Sequence, residues 1–380
     1  MAYPLLRGFS WRARNVEREK SLFVDSGILQ GVAVLSLIFF IVVLIPFAGP
    51  VVIIMTPLPV LYYSYRFGRM RGLAVLSVSF LIVSGILSLL GHRPNIPVLL
   101  MTGVTGVMLS EVLKRRYSLE KTLLIASLAL FFFGISFIFL HALRIGMAPR
   151  QMVELYVTGI IRDNIRLYER LDISADHLLL IRENLPQITR FFTGIFPALA
   201  LSGAIVTVWL NLLAGRLLLQ RNSVGFPDFG DLSSWKAPDR LVWILIASGG
   251  MALAPSDTLN IIGVNLLIVC GLIYLCQGLA IAGFFFRRRK VPVILRSLFY
   301  ILIVIQHYMI IVVIAFGLFD IWVDFRKRIA GMKDDDFVKS RKCPRIVIPV
   351  KTGSQRFQRV TKTLDTGFHR CDDFLRERQR

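Results

Sequence analysis

Acidic side chains are scarce in this chain: 24 Asp and Glu stand against 45 Lys and Arg, a formal charge of +21. The acids also avoid the interiors of the apolar runs, with Asp257 and Asp320 near run ends. A proton-driven pump is expected to bury a carboxylate in a span, so ion-coupled transport is disfavoured. The usual catalytic signatures are missing too. The sequence contains no phosphate-cradling P-loop, no Cys-x-x-Cys and no His-Glu-x-x-His. It has no Gly-x-Ser-x-Gly elbow either. There are four cysteines. Cys270 and Cys276 lie six apart in an apolar run, on different helix faces. Cys371 has His369 beside it, but Cys343 is far off and no second pair completes a zinc spacing. These absences point away from an enzyme, and they imply no metal, no cofactor and no disulfide.

What the chain has in abundance is apolar sequence. Hydrophobic residues make up 55% of it, above the share of a soluble domain, and they fall in runs long enough to cross a bilayer. The reading is an all-α, polytopic membrane helix bundle. About eight spans are expected, near 27–45, 51–65, 72–90, 96–113, 123–143, 191–213, 241–253 and 261–286, before a final run from 293 to 323. Residues 1–26 are basic and show no small-residue cleavage site after an apolar core, so they read as an uncleaved cytoplasmic start. Residues 330–380 form a basic tail too polar to span.

Charge orders the spans. Basic segments lie at the N-terminus, 66–71, 114–121, 215–240, 287–290 and 326–328. Through Lys290 each is separated from the next by two apolar runs, so all fit on the cytoplasmic side of a membrane. The surplus of cations therefore reads as topology and contact with anionic inner-leaflet lipid, in preference to a nucleic-acid partner. The last run breaks this parity. A single straight crossing of 31 residues would be roughly 46 Å long and would leave Arg326, Lys327 and Arg328 outside. A hairpin-like return near Gln306-His307-Tyr308 keeps the rule, with legs of about 20 Å.

Residues 144–191 differ in kind, since Arg and acidic residues nearly balance. Val153, Val157, Ile160, Ile161 and Ile165 recur at helical spacing, which predicts one or two amphipathic helices on the outer face, broken at 172–176. Such a segment is either a lid over a cavity or a solvated interfacial loop. Pro57 and Pro59 interrupt the second span. This reads first as a simple kink packed by neighbouring helices. The alternative is a broken helix of the kind that in lipid often borders substrate sites. Gly27 and Gly31, and separately Gly271, Gly278 and Ala282, are spaced to seat neighbouring helices. The polar residues within apolar runs are mostly neutral. Thr56, Asn260, Asn265, Gln277, Gln306 and His307 are the candidate ligand-binding residues, suited to an uncharged small molecule and equally to bonding between helices. Asn211 has the same character.

The segments SSWKAPDRLVW (233–243), GLAI-xx-FFFRRRKVP (278–292) and GLFDIWVDFRKRI (317–329) resemble the YybS-like family of multipass bacterial membrane proteins of unknown function. The resemblance implies a bacterial integral membrane protein, distantly similar to the substrate-binding subunits of energy-coupling-factor vitamin transporters. Those subunits carry Ala-xxx-Ala early in their first helix, where this chain has Gly27 and Gly31. Two functions stay open: a small-molecule-binding, transport-related subunit that takes its energy from a partner protein, or a membrane scaffold or assembly factor.

Overall fold

Proline sets the first architectural feature. Pro57 and Pro59 sit in the opening turn of a helix, where a missing N–H costs nothing, so the chain stops one helix at Met55 and starts another at Pro57. In the computed structural model the described residues are 27–45, 49–91, 96–170, 175–221, 226–227, 229–231, 233 and 235–330. Two compact units divide the chain at Arg326/Lys327. Residues 327–330 are the described part of the second unit and are helical; the helix bundle belongs to the first.

The described regular structure is entirely helical. In chain order the helices are α1 Gly27–Leu44, α2 Gly49–Met55, α3 Pro57–Phe67, α4 Arg69–Leu89, α5 Ile96–Lys114, α6 Leu119–Ile145, α7 Pro149–Arg170 and α8 Ala175–Glu183. They continue with α9 Leu185–Arg221, α10 Leu241–Ala252, α11 Asp257–Arg288, α12 Val293–Ile305, α13 His307–Val323 and α14 Phe325–Ala330. Among the described residues five helices (α1, α4, α6, α9 and α11) are long and apolar enough to cross a membrane, or six if α12 and α13 count as one bent span. This is fewer than the eight expected from the runs. The difference lies in elements that are short or broken: α2 and α3 share one run, and α10 has 12 residues. The α5 helix has 19 residues and opens on side chains outside the described set.

Side chains such as Leu81, Phe132, Leu140 and Trp243 point outward. A water-soluble protein does not display so much apolar surface, whereas lipid accepts it without cost. Lipid also supplies no hydrophobic drive for helices to associate, so close packing and small residues do that work. Leu35 and Phe39 of α1, Val75 and Val83 of α4 and Leu99 of α5 bury together. Leu61, Leu109, Leu130, Val208 and Leu212 form a second core among α3, α5, α6 and α9. Both expected glycine seams are used. Gly27 and Gly31 let α1 rest on the rings of Phe67 and Tyr63 in α3, which stack at 5.9 Å. Gly278 of α11 and Gly317 of α13 meet nearly backbone to backbone; a Cβ on either would overlap the carbonyl of Val313 or Tyr274.

The amphipathic stretch folds as α7 and α8, and residues 171–174, where the break was expected to begin, lie outside the described residues. Surface ion pairs join Arg150 to Glu154, Arg166 to Asp163 and Arg182 to Glu169. Met152 and Ile165 are buried, and the hydroxyls of Thr158 and Thr189 lie 3.4 Å apart, tying α7 to α9.

The final run is not one straight helix. Gln306 adopts an extended conformation (φ −101°, ψ 98°), and α12 and α13 are bent by 111° there. At the end of α13, Asp320 accepts from Gln277 Nε2 at 3.2 Å and from the Phe325 N–H at 2.9 Å. Arg326 donates to the carbonyl of Trp235 at 2.7 Å. Arg287, at the end of α11, pairs with Asp231 of the same linker. One linker thus joins the C-terminal ends of α11 and α13, in keeping with a return at Gln306. Asp320, read from sequence as a run-end residue, is in fact buried.

Pro197 lies inside α9, which runs on through it, and the weakened turn is supported from another helix. Asn265 of α11 inserts its amide where the next turn of α9 would close: Nδ2 donates to the Gly194 carbonyl at 2.9 Å, and Oδ1 accepts from the Ala198 N–H at 2.9 Å. Asn265→Leu is expected to lower stability by about 1–2 kcal/mol, because two α9 backbone groups lose their partner together. Thermal unfolding in detergent, compared with Asn265→Gln, measures it.

Candidate functional site

The break between α2 and α3 leaves carbonyls that a continuous helix would satisfy. Three of them have donors among the described residues. Val52 accepts from the Thr56 hydroxyl at 3.3 Å, Ile53 from the Thr56 N–H at 3.2 Å, and Ile54 from Asn211 Nδ2 at 2.7 Å. Asn211, fully buried on α9, also donates to Thr207 of its own helix at 2.7 Å. Its Oδ1 has no partner among the described residues. Thr56 and Asn211 are thus the masonry of the break.

On the side of the break toward α7 lies a cavity of about 750 Å³. Ile54 and Pro57 border it at the break, Thr102 and Thr105 on α5, His141 on α6, and Tyr156 and Ile160 on α7; Phe196, Ala200 and Thr207 close the α9 side. The volume falls within the range of small-molecule sites, roughly 300–1,000 Å³. No Asp, Glu, Lys or Arg is among the lining residues. Thr102 and Thr105 donate to the carbonyls of Leu99 and Met101 at 2.9 and 2.7 Å, so their hydroxyls face the cavity chiefly as acceptors. His141 stacks on Phe137 at 6.1 Å, with the rings 10° from parallel. A half-open cavity with apolar walls and a few neutral polar groups can hold an uncharged or weakly polar guest. It offers nothing to offset a buried formal charge.

The six residues singled out from sequence do not converge on this cavity. Asn265 and Gln277 are backbone clamps: the first spans α9 and α11, and the second accepts from the Ala237 N–H at 3.1 Å while donating to Asp320. Asn260 donates to the Ala252 carbonyl across the turn between α10 and α11. Thr56 caps the break beside the cavity. Gln306 forms the exposed bend, and the side chain of His307 lies outside the described residues. Thr102, Thr105, His141, Tyr156 and Thr207 escaped notice because each is unremarkable alone. Thr102 and Thr105 three apart on one helix, opposite a proline break, are the signal that could have found them. Among the described residues no three His, Cys, Asp or Glu side chains gather as a metal site, and Cys270 and Cys276 are free thiols.

Residues 33–321 match the family model described as Predicted membrane protein (DUF2232). The chain is also similar to the Uncharacterized protein YybS of Bacillus subtilis (strain 168), 24% identical over 279 residues, which covers 70% of this chain and 86% of that protein. No solved structure matches.

Removing the Asn211 amide tests how far the cavity depends on the mended break. Asn211→Ala is expected to cost about 1 kcal/mol of stability by stranding the Ile54 carbonyl. Thr56→Val, which removes only the longer bond to Val52, should cost less; thermal unfolding of the pair gives the ranking.

Proposed function

Since the chain belongs to this DUF2232 family of predicted membrane proteins, we propose that it is a small-molecule-binding, transport-related subunit of the bacterial cytoplasmic membrane. The observation that carries the reading is the 750 Å³ neutral cavity bordered by a broken helix and covered on one side by the amphipathic α7. Broken helices with mended backbones recur at substrate sites in transporters. The guest is an uncharged, largely apolar molecule, oriented by the Thr, His and Tyr groups of the wall. The sequence carries no ATPase motif, so a partner protein supplies the energy for any net movement.

Orientation follows from charge. The basic segments sit on the cytoplasmic side with the N-terminus, and α7 with its balanced charges faces outward. The return of the chain at Gln306 adds Arg326 to the same side. Single cysteines at Gln151 and at Arg288, introduced into a chain with Cys270, Cys276, Cys343 and Cys371 replaced by Ser, separate the alternatives. Labelling of intact cells by a membrane-impermeant maleimide should reach position 151 and spare 288. The reverse pattern overturns this topology.

Binding is tested by thermal shift of the detergent-purified protein against a panel of vitamins and uncharged amphiphiles. A ligand is expected that raises the melting temperature of the wild type and has no effect on Ala200→Trp, which fills the cavity. If no compound stabilises the wild type, or stabilisation survives the Trp, the proposal fails.

A further inference from the structure

A second and larger space lies elsewhere, and its chemistry is different. The α9 and α11 helices run in the same direction: Asn265 holds them together near their starts, while Arg216 and Arg287 meet one linker turn near their ends. Beyond the Asn265 clamp the two helices enclose a groove of about 1070 Å³. Its walls are apolar, with Ile205 and Leu213 on α9 and Leu272, Leu275 and Leu279 on α11. That volume reaches the top of the range for drug-sized ligands, which favours a long flexible guest.

One end of the groove is charged. Arg216 donates to the Gly230 carbonyl at 3.4 Å, and Arg287 pairs with Asp231. The Asp231 carboxylate is itself fixed, accepting from the Ser233 N–H at 3.0 Å and from its hydroxyl at 3.1 Å. Partial burial opposes its charge, but the Ser233 bonds and the Arg287 guanidinium outweigh that and hold the carboxyl below its ordinary range. Among the described residues the rim therefore keeps one negative charge, Asp231, against two guanidinium groups. Each guanidinium carries five N–H donors and uses one in these contacts, so both retain donors for a phosphate. Gly283 keeps the groove open near this rim. A Cβ there would lie 3.9 Å from the Tyr300 hydroxyl and 4.0 Å from Ser233 Cβ, so a larger side chain could enter the groove without displacing backbone.

We infer that the groove between α9 and α11 is a binding site for one anionic phospholipid, its acyl chains along the apolar walls and its phosphate between Arg216 and Arg287. Free phosphate would gain from the rim alone and leave the walls empty. A zwitterionic lipid would fill the walls but bring a cation to a basic rim. The site is separate from the α7-covered cavity and stands whether or not that cavity binds a solute.

Native mass spectrometry of the full-length detergent-purified protein tests it, with phosphatidylglycerol or phosphatidylcholine of identical chains added. The wild type is expected to retain phosphatidylglycerol about tenfold more than phosphatidylcholine. Arg216→Gln should erase most of that preference. Gly283→Leu, which fills the groove and spares the charges, should lower retention of both lipids. Ala200→Trp should change neither. Equal retention of the two lipids by the wild type overturns the proposal, as does displacement of phosphatidylglycerol by excess inorganic phosphate. Retention that survives whichever of the two groove variants unfolds cooperatively also overturns it. The two wild-type measurements decide the matter even if both variants misfold.

Discussion

A backbone N–H or C=O inside an apolar bundle must find a partner, because no water is there to supply one. This constraint governs the molecule. Its helices are interrupted at Thr56, weakened at Pro197 and entered by an extended linker near Ala237. At each place a side-chain amide from a different helix completes the bonding: Asn211, Asn265 and Gln277 respectively. An amide can do this because it carries a donor and an acceptor in one plane, the same pair that a peptide group presents. The interruptions are therefore fixed features of the fold and not loose segments.

Those repairs also shape the two spaces. Ending α2 at Met55 and restarting at Pro57 sets the border of the α7-covered cavity. Pinning α9 to α11 at Asn265 fixes one end of their interface, while the linker residues Gly230, Asp231 and Ser233 border the other. Asp320 and Arg326 complete the linker's anchorage. Burial draws the Arg326 guanidinium below its usual value, and Asp320, Asp324 and Asp231 act against that draw. The buried Asp320 and the half-buried Arg326 lie 3.9 Å apart and serve as partners, as a buried charge requires.

The architecture was legible in sequence where it depends on composition and spacing. Long apolar runs became helices, the Pro57–Pro59 pair became a break, and the stripe from Val153 to Ile165 became a helix, of which Ile165 is buried and Ile160 exposed. Gly27, Gly31 and Gly278 became close contacts, since a missing side chain is itself a packing instruction. The number of crossings was less legible, because a run of apolar residues states what lipid tolerates and not where the chain turns. Polar residues were hardest of all. Asn265 and Gln277 stand out in a hydropathy trace for the same reason whether they hold a ligand or a carbonyl; only their partners, some seventy and forty residues away, distinguish the two. The cavity wall gave no contrast at all. Thr105 and His141 belong to different helices, and nothing local to either predicts the other.

The meeting of Gly278 with Gly317 has a mechanical side. Helices separated by side chains can slip, because rotamers absorb small displacements; two backbones in contact have no such cushion. The register of α11 against α13 is therefore fixed at that crossing by the backbones themselves. The same crossing carries the linker, since Arg326 holds Trp235 and Asp320 is held by Gln277 of α11.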